Sequence, residues 1–296
     1  MDATAALAFE QTTDPHVVSE DTVQLVNEVH IPPCPAVLID FMAEMHKDDP
    51  DFRRLGHLIH TDPGLAASVM KTVNSPVYGT VKKARSVQDG LALLGLRPAS
   101  MLVAGLMLRQ AFTPSTSASM HEFWDSSARI AMISGYLAPK FEAGTREEAH
   151  TFALFRDCGI PILLNRYPDY EQLLTETRYE NEFRRPEIER ARYGFDHAVL
   201  GATLAQTWHL SNEMCQAIRF HNCCVETEYR DGAITDSCTR LICVALLAEQ
   251  LYRIYRGTYD AEAWSAEDAM IAEVLGPVQD RLEPLGDEVA RILDGA

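Results

Sequence analysis

Apolar residues recur along this chain at helical rather than strand spacing. From His197, the residues Leu200, Leu204 and Trp208 follow one another on what would be a single helix face. The longest apolar runs, 101–108 and 241–248, suit buried core helices and fall well short of the roughly 20 residues that a membrane span needs. Strand signals are nearly absent: there is no Asn-Gly turn, and alternating Val/Ile/Thr runs are few. The pattern predicts an all-α fold.

The punctuation agrees with this. Asp62 is placed to cap a helix that has Pro63 at its first position, and "GLAASVMKTV" then runs until Asn74-Ser75-Pro76 stops it. Ser119 with Glu122, and Thr145 with Glu148, have the spacing of capping boxes, and Gly144 suits the end of a preceding helix. The Pro/Ser/Thr stretch "TPSTSAS" reads as a connection. It separates a helical subdomain at 31–112 from a second at 113–256, with an N-terminal segment at 1–30 and a helical extension at 257–296. Long helices are expected at 123–140, 198–208 and 239–255, and a further pair after Trp264. There is no internal repeat.

Composition narrows the function classes. At 296 residues, 47% of them hydrophobic, the chain can build a sizeable core, and its formal net charge of -17 argues against nucleic acid and anionic membrane as partners. Two basic stretches depart from this balance. Lys82, Lys83 and Arg85 lie near Tyr78, and "FRRPEIERAR" alternates Arg184, Arg185, Arg190 and Arg192 with Glu187 and Glu189. Both read first as solvated faces, and the set Tyr78, Lys82, Lys83 and Arg85 is also a candidate partner-binding patch. Seven cysteines in a chain of this length fit free thiols in a reducing compartment. "HNCC" invites a zinc reading, but no C-x-x-C pair supports it. The N-terminus carries acids and no basic region of a secretory signal, so a cytoplasmic location is expected.

Candidate chemistry lies in the second block. The apolar stretch "TFALFRDCGIPILL" contains one charged pair, Arg156-Asp157, while His197 opens one amphipathic segment and His221 closes another, "EMCQAIRFH". An imidazole pair and a carboxylate turned inward from separate helices are what a metal site in a helical bundle requires. The same residues also fit a core in which the histidines are simply hydrogen-bonded and Arg156 pairs with Asp157, or in which Arg156 meets an anionic ligand. No Walker loop, GxSxG or HExxH is present.

The stretches "IPPCPAVLIDFMAEM", "LGHLIHTDPGLAASVMKTVNSPVYG", "SVQDGLALLGLRPASMLVAGLML", "FWDSSARIAM", "ALFRDCG" and "DHAVLGATLAQTWHL...AIRFHN" occur in this order over about residues 25–250. Together they resemble the HDOD domain, a relative of the HD and HD-GYP phosphohydrolases found in bacterial signalling proteins. The resemblance implies that the second subdomain is a degenerate HD-like helical bundle. Catalytic HD enzymes hold metal with a first histidine, a His-Asp doublet, sometimes further histidines, and a late aspartate. On that alignment Ser126 stands at the first histidine and Arg156-Asp157 at the doublet. Asn222 stands where some members have a second histidine, and Glu249 is the only acid near the late aspartate. Asp157, His197 and His221 match ligand positions and would be the residues to hold a metal, but no metal and no other cofactor is expected. The implied function is a non-catalytic signal-transduction module that binds a protein partner or a small signalling ligand. The alternative is a residual metal-dependent phosphohydrolase acting on a nucleotide or cyclic dinucleotide.

Overall fold

The computed structural model describes residues 29–45, 47, 49–75, 83–112, 118–177, 184–222, 234–259, 266–278 and 281–294. Among these residues there are helices and connecting turns and no strand. The first block contains α1 (Ala36–Met45), α2 (Phe52–His60), α3 (Pro63–Val73), α4 (Val87–Leu94) and α5 (Leu96–Ala111). The second contains α6 (Ala118–Leu137), α7 (Arg146–Phe155), α8 (Gly159–Arg166), α9 (Tyr170–Thr177), α10 (Arg185–Tyr193), α11 (His197–Thr207), α12 (Asn212–Phe220) and α13 (Asp236–Tyr255). The expected C-terminal pair is α14 (Ala266–Leu275) and α15 (Leu282–Asp294). No described helix is long and apolar enough to cross a membrane.

Local chemistry sets most of the boundaries. The Asp62 carboxylate accepts from the Leu65 amide at 3.0 Å and starts α3. Thr145 and Glu148 form the reciprocal box that starts α7, with bonds of 2.9 and 3.2 Å. Ser119 does not stand at the capping position expected of it. Helix α6 already begins at Ala118, and the Ser119 hydroxyl donates to Glu171 at the start of α9. The same helix ends at Leu137 rather than 140, and the last residues tighten into a 3-10 turn, Ala138–Lys140, that contains Pro139.

The two blocks share one continuous apolar core. Its seam is the packing of α5 on α7, where the Thr151 hydroxyl donates to the Met101 carbonyl at 2.9 Å. Gly105 sits on this seam because a Cβ there would stand 3.0 Å from Leu154 Cδ1. A second tie runs from the Trp208 indole N–H to the Pro32 carbonyl at 3.0 Å, from the end of α11 to the chain ahead of α1. Within the second block α13 is central, packed by α6, α7, α12, α14 and α15. Its run from Leu241 to Ala248 is buried throughout, as its unbroken apolar pattern requires.

Candidate functional site

The stretch from Thr151 to Leu164 is two helices, α7 and α8, and Arg156-Asp157-Cys158 forms the corner between them. The corner is pressed against the start of α11. An added Cβ at Gly159 would lie 2.0 Å from the His197 carbonyl oxygen, so only glycine lets the two backbones approach this closely. That approach places Asp157 beside His197, while α12, packed on α11, brings up His221 from its C-terminal end.

The three side chains form a compact group. One ligand-capable atom from each of Asp157, His197 and His221 lies within 4.8 Å of the others. Asp157 Oδ1 is 3.2 Å from His221 Nε2 and 3.6 Å from His197 Nε2. His221 Nδ1 donates to the Ile218 carbonyl at 2.8 Å, which leaves Nε2 facing the carboxylate.

His197 is held by a carboxylate that is itself completely buried. Glu189, on α10, accepts from the His197 backbone N–H at 2.8 Å and from its Nδ1 at 2.6 Å, and Tyr170 donates its hydroxyl to the other carboxylate oxygen. Because Nδ1–H points at an acceptor-only group, Nε2 of the neutral ring is an acceptor. It lies 2.8 Å from the Asn222 side-chain nitrogen. Burial lowers the proton affinity of His197, but Glu189 and then Asp157 outweigh it and raise the pKa above the ordinary value.

On the opposite side Arg156 bridges two acids. Its Nε lies 2.9 Å from Asp157 Oδ2, one of its terminal nitrogens bonds Glu249 Oε2, and Arg253 bonds Glu249 Oε1. Arg156 is 6% exposed. Burial alone would raise both carboxyl pKa values. The charge of Arg156 instead holds Asp157 well below the usual range and, with Arg253, brings Glu249 down to about 2. Both are carboxylates at neutral pH. The Arg156–Asp157 ion pair expected from the sequence is therefore present, and Glu249 makes it a network.

Of the remaining expected positions, Ser126 lies half-buried on α6 and offers only a hydroxyl. Lys83 and Arg85 are exposed, while Tyr78 and Lys82 lie outside the described residues, as do Cys223 and Cys224 of the "HNCC" stretch. Among the described residues, Cys34, Cys158, Cys215, Cys238 and Cys243 form no disulfide. The reading of "FRRPEIERAR" as a wholly solvated face is corrected at Glu189, which is 0% exposed. Docking of α10 against Tyr170 and α11 buries that carboxylate, and only its spacing with the buried Pro186 on one helix face hinted at this. A small open cavity lies apart from the cluster, at the seam of the blocks, lined by residues including Met101, Glu148, Ser211, Glu213 and Cys238.

Comparison with known proteins bears on this arrangement. Residues 31–223 match the family model of the HDOD domain. A 201-residue stretch is 26% identical to an uncharacterized protein of Treponema pallidum (strain Nichols), covering 65% of this chain but 37% of that protein. The chain thus spans well under half the length of that relative. A crystal structure from Shewanella amazonensis SB2B, of a protein provisionally named a phosphohydrolase, superposes with a TM-score of 0.67 at 21% identity, covering 94% of this chain and 96% of that one. An HDOD domain protein of unknown function from Geobacter sulfurreducens gives 0.62 at 17% identity, covering 92% and 98%. A protein of Marinobacter aquaeolei VT8, provisionally named for signal transduction, gives 0.62 at 20% identity, covering 95% of this chain and 65% of that one. At such identities the likeness is one of fold.

Proposed function

The chain belongs to the HDOD family, and from that premise we propose that it is a non-catalytic regulatory module of bacterial signal transduction that binds a protein partner or a small signalling ligand. One observation carries the reading. The carboxylates that could serve a metal, Asp157 and Glu249, are both bonded to Arg156. At an effective dielectric constant of about 20, two unit charges about 4 Å apart interact by about 4 kcal/mol, and a dication facing a guanidinium doubles the repulsion. The provisional names of the Marinobacter and Shewanella proteins point to signalling and to phosphate hydrolysis respectively, so they do not decide between the two. The exposed Lys83 and Arg85, with the neighbouring Tyr78 and Lys82, are proposed as the docking patch for an acidic partner.

The competing reading is a residual phosphohydrolase that uses Asp157, His197, His221 and Glu249 on a nucleotide or cyclic dinucleotide. It is favoured by the ligand spacing, since three donor atoms within 4.8 Å suit a transition metal. A metal there would supply an activated water. The donors fit such an ion in number and distance, and the fixed positive charge beside them does not.

The test is an assay of purified protein against nucleoside phosphates, simple phosphate esters and cyclic di-GMP with manganese, iron or magnesium supplied. No turnover is expected. Metal-dependent hydrolysis that disappears in Asp157→Ala would replace the regulatory reading with the enzymatic one.

A further inference from the structure

We infer that Arg156 is the cluster's own cation: its guanidinium takes up the two carboxylates that a divalent metal would use, and this single side chain keeps metal out of a ligand set that is otherwise assembled. The inference rests on the regulatory reading of the site and goes further, because it names the residue responsible.

The donors are positioned without any metal. His197 is fixed through Glu189, which accepts from both its Nδ1 and its backbone N–H, and the Glu189 carboxylate is anchored in turn by Tyr170. His221 is fixed through Ile218. A carboxylate behind the imidazole that presents its far nitrogen to a common point is the arrangement that orients histidine ligands. Nothing in the packing of an ordinary core histidine calls for a fully buried glutamate, whose desolvation costs several kcal/mol unless it is fully hydrogen-bonded.

What stands against a metal is charge. Arg156 is the residue next to Asp157 at the α7–α8 corner, so its guanidinium is held against the ligand group by the same turn that places Asp157. Its Nε bonds Asp157 Oδ2, and its terminal nitrogen bonds Glu249 on α13. Arg253 then bonds the other oxygen of Glu249. Two carboxylates are thus balanced by two guanidinium groups. A dication added beside Asp157 would meet a carboxylate already paired with a guanidinium, although Asp157 Oδ1 still faces both imidazoles.

The experiment titrates Zn²⁺ into wild type and Arg156→Gln by calorimetry and follows Co²⁺ by its visible absorption. Glutamine keeps a hydrogen-bonding side chain and removes the charge. Arg156→Gln should bind one ion at least about tenfold more tightly than wild type, the lower end of what altering the surroundings of a metal site does to affinity. Adding His221→Ala should abolish the gain. If Arg156→Gln does not fold, Arg156→Met, which removes the charge and keeps an unbranched side chain of similar length, carries the same expectation. Equal affinity in wild type and variant, no binding by a folded variant, or a gain that survives His221→Ala would overturn the inference. Wild type that hydrolyses nothing leaves the regulatory reading standing whatever this ratio is. Wild type that turns over phosphate sinks that reading while the affinity ratio still decides the role of Arg156.

Discussion

The two sides of Asp157 are built on opposite principles. Toward α10 and α11 the cluster is held by hydrogen bonds to a single carboxylate and neutral groups: one buried glutamate, a tyrosine hydroxyl and an asparagine amide hold His197 in a fixed orientation. Toward α13 it is ionic, with Arg156 and Arg253 fastened to Asp157 and Glu249. Relatives of this fold include a protein provisionally named a phosphohydrolase, so the contrast separates what the architecture supplies from what the charges permit. The scaffold that aims two imidazoles and a carboxylate at one point is a product of helix packing, above all of the close approach at Gly159. Whether a cation from outside can use that point depends on one residue at the corner. A site can therefore keep its geometry while its electrostatics turn to another use, and family membership alone says little about chemistry.

The ionic side should break hardest. Arg156→Ala strands Asp157 in a largely buried setting, while Glu249 keeps Arg253, and loss of one partner of a buried pair costs about 3 to 5 kcal/mol. Urea denaturation should show this as a lowered midpoint with an unchanged slope. An unchanged midpoint would mean that the pair contributes nothing to the fold.

Two buried histidines sharpen the contrast, because among the described residues one has an anionic partner and the other has none. His150, on α7, is 6% exposed, and its Nδ1 makes no hydrogen bond among the described residues. Burial pushes its pKa down from 6.5 to about 4. The unfolded chain therefore binds a proton that the folded protein refuses, and stability falls as the pH drops from about 6.5 to about 4, by about 3 kcal/mol in all. His197 has the opposite sign. Burial disfavours its charged form, but Glu189 overcomes this and raises the folded pKa. Its contribution is complete below the unfolded value and is lost as the pH rises through the raised folded one. Stability measured against pH in wild type and His150→Leu should differ chiefly between 4 and 6.5, with the acid-side loss reduced in the variant. Parallel curves across that window would show that His150 is protonated in the fold.

The hydrogen-bonded side should be softer than the ionic one. Glu189→Gln preserves shape but replaces charge-assisted hydrogen bonds with neutral ones, and its amide nitrogen cannot accept. A loss of about 1.5 to 3 kcal/mol is expected, in the range of a hydrogen bond to a charged group. In proton NMR the variant should also lose the downfield imidazole N–H signal of His197. A signal that persists unchanged would show that Glu189 does not hold the ring.

How much of this was legible beforehand follows from how local each cause is. The helices were readable because caps are short-range: Asp62 and Thr145 act within three residues of themselves. Asp157, His197 and His221 could be nominated because they interrupt, open and end apolar helical patterns respectively. Ser119 shows the limit of the same reasoning, since a correct capping-box spacing gave way to Glu171 on another helix. Glu189 was hidden among arginines in a string whose composition reads as solvent-facing, and its burial is decided by Tyr170 and His197, which lie on other helices. Gly159 looks like any helix-breaking glycine until the His197 backbone is set against it. The missing information was tertiary in each case.

The smallest effect on the fold is expected where the cations face water. Within the cluster Arg156 and Arg253 are bonded to acids, whereas Lys83 and Arg85 stand exposed on a chain with a net charge of -17. Reversing Lys82, Lys83 and Arg85 to glutamate should change stability by no more than about 0.5 kcal/mol, as surface substitutions do. Association is where the change should appear. Charges at the rim of an interface steer encounter more than they hold the complex, so the triple reversal should slow the on-rate for a partner captured from the native host and leave the off-rate nearly unchanged. Raising the ionic strength should slow wild-type association as well, because screening acts over about 8 Å at physiological salt, and it should affect the reversed variant less. Stopped-flow rates measured at two salt concentrations separate these effects. An on-rate indifferent to both salt and the reversal would remove the patch as a docking site and direct attention to the surface nearest His197 and His221.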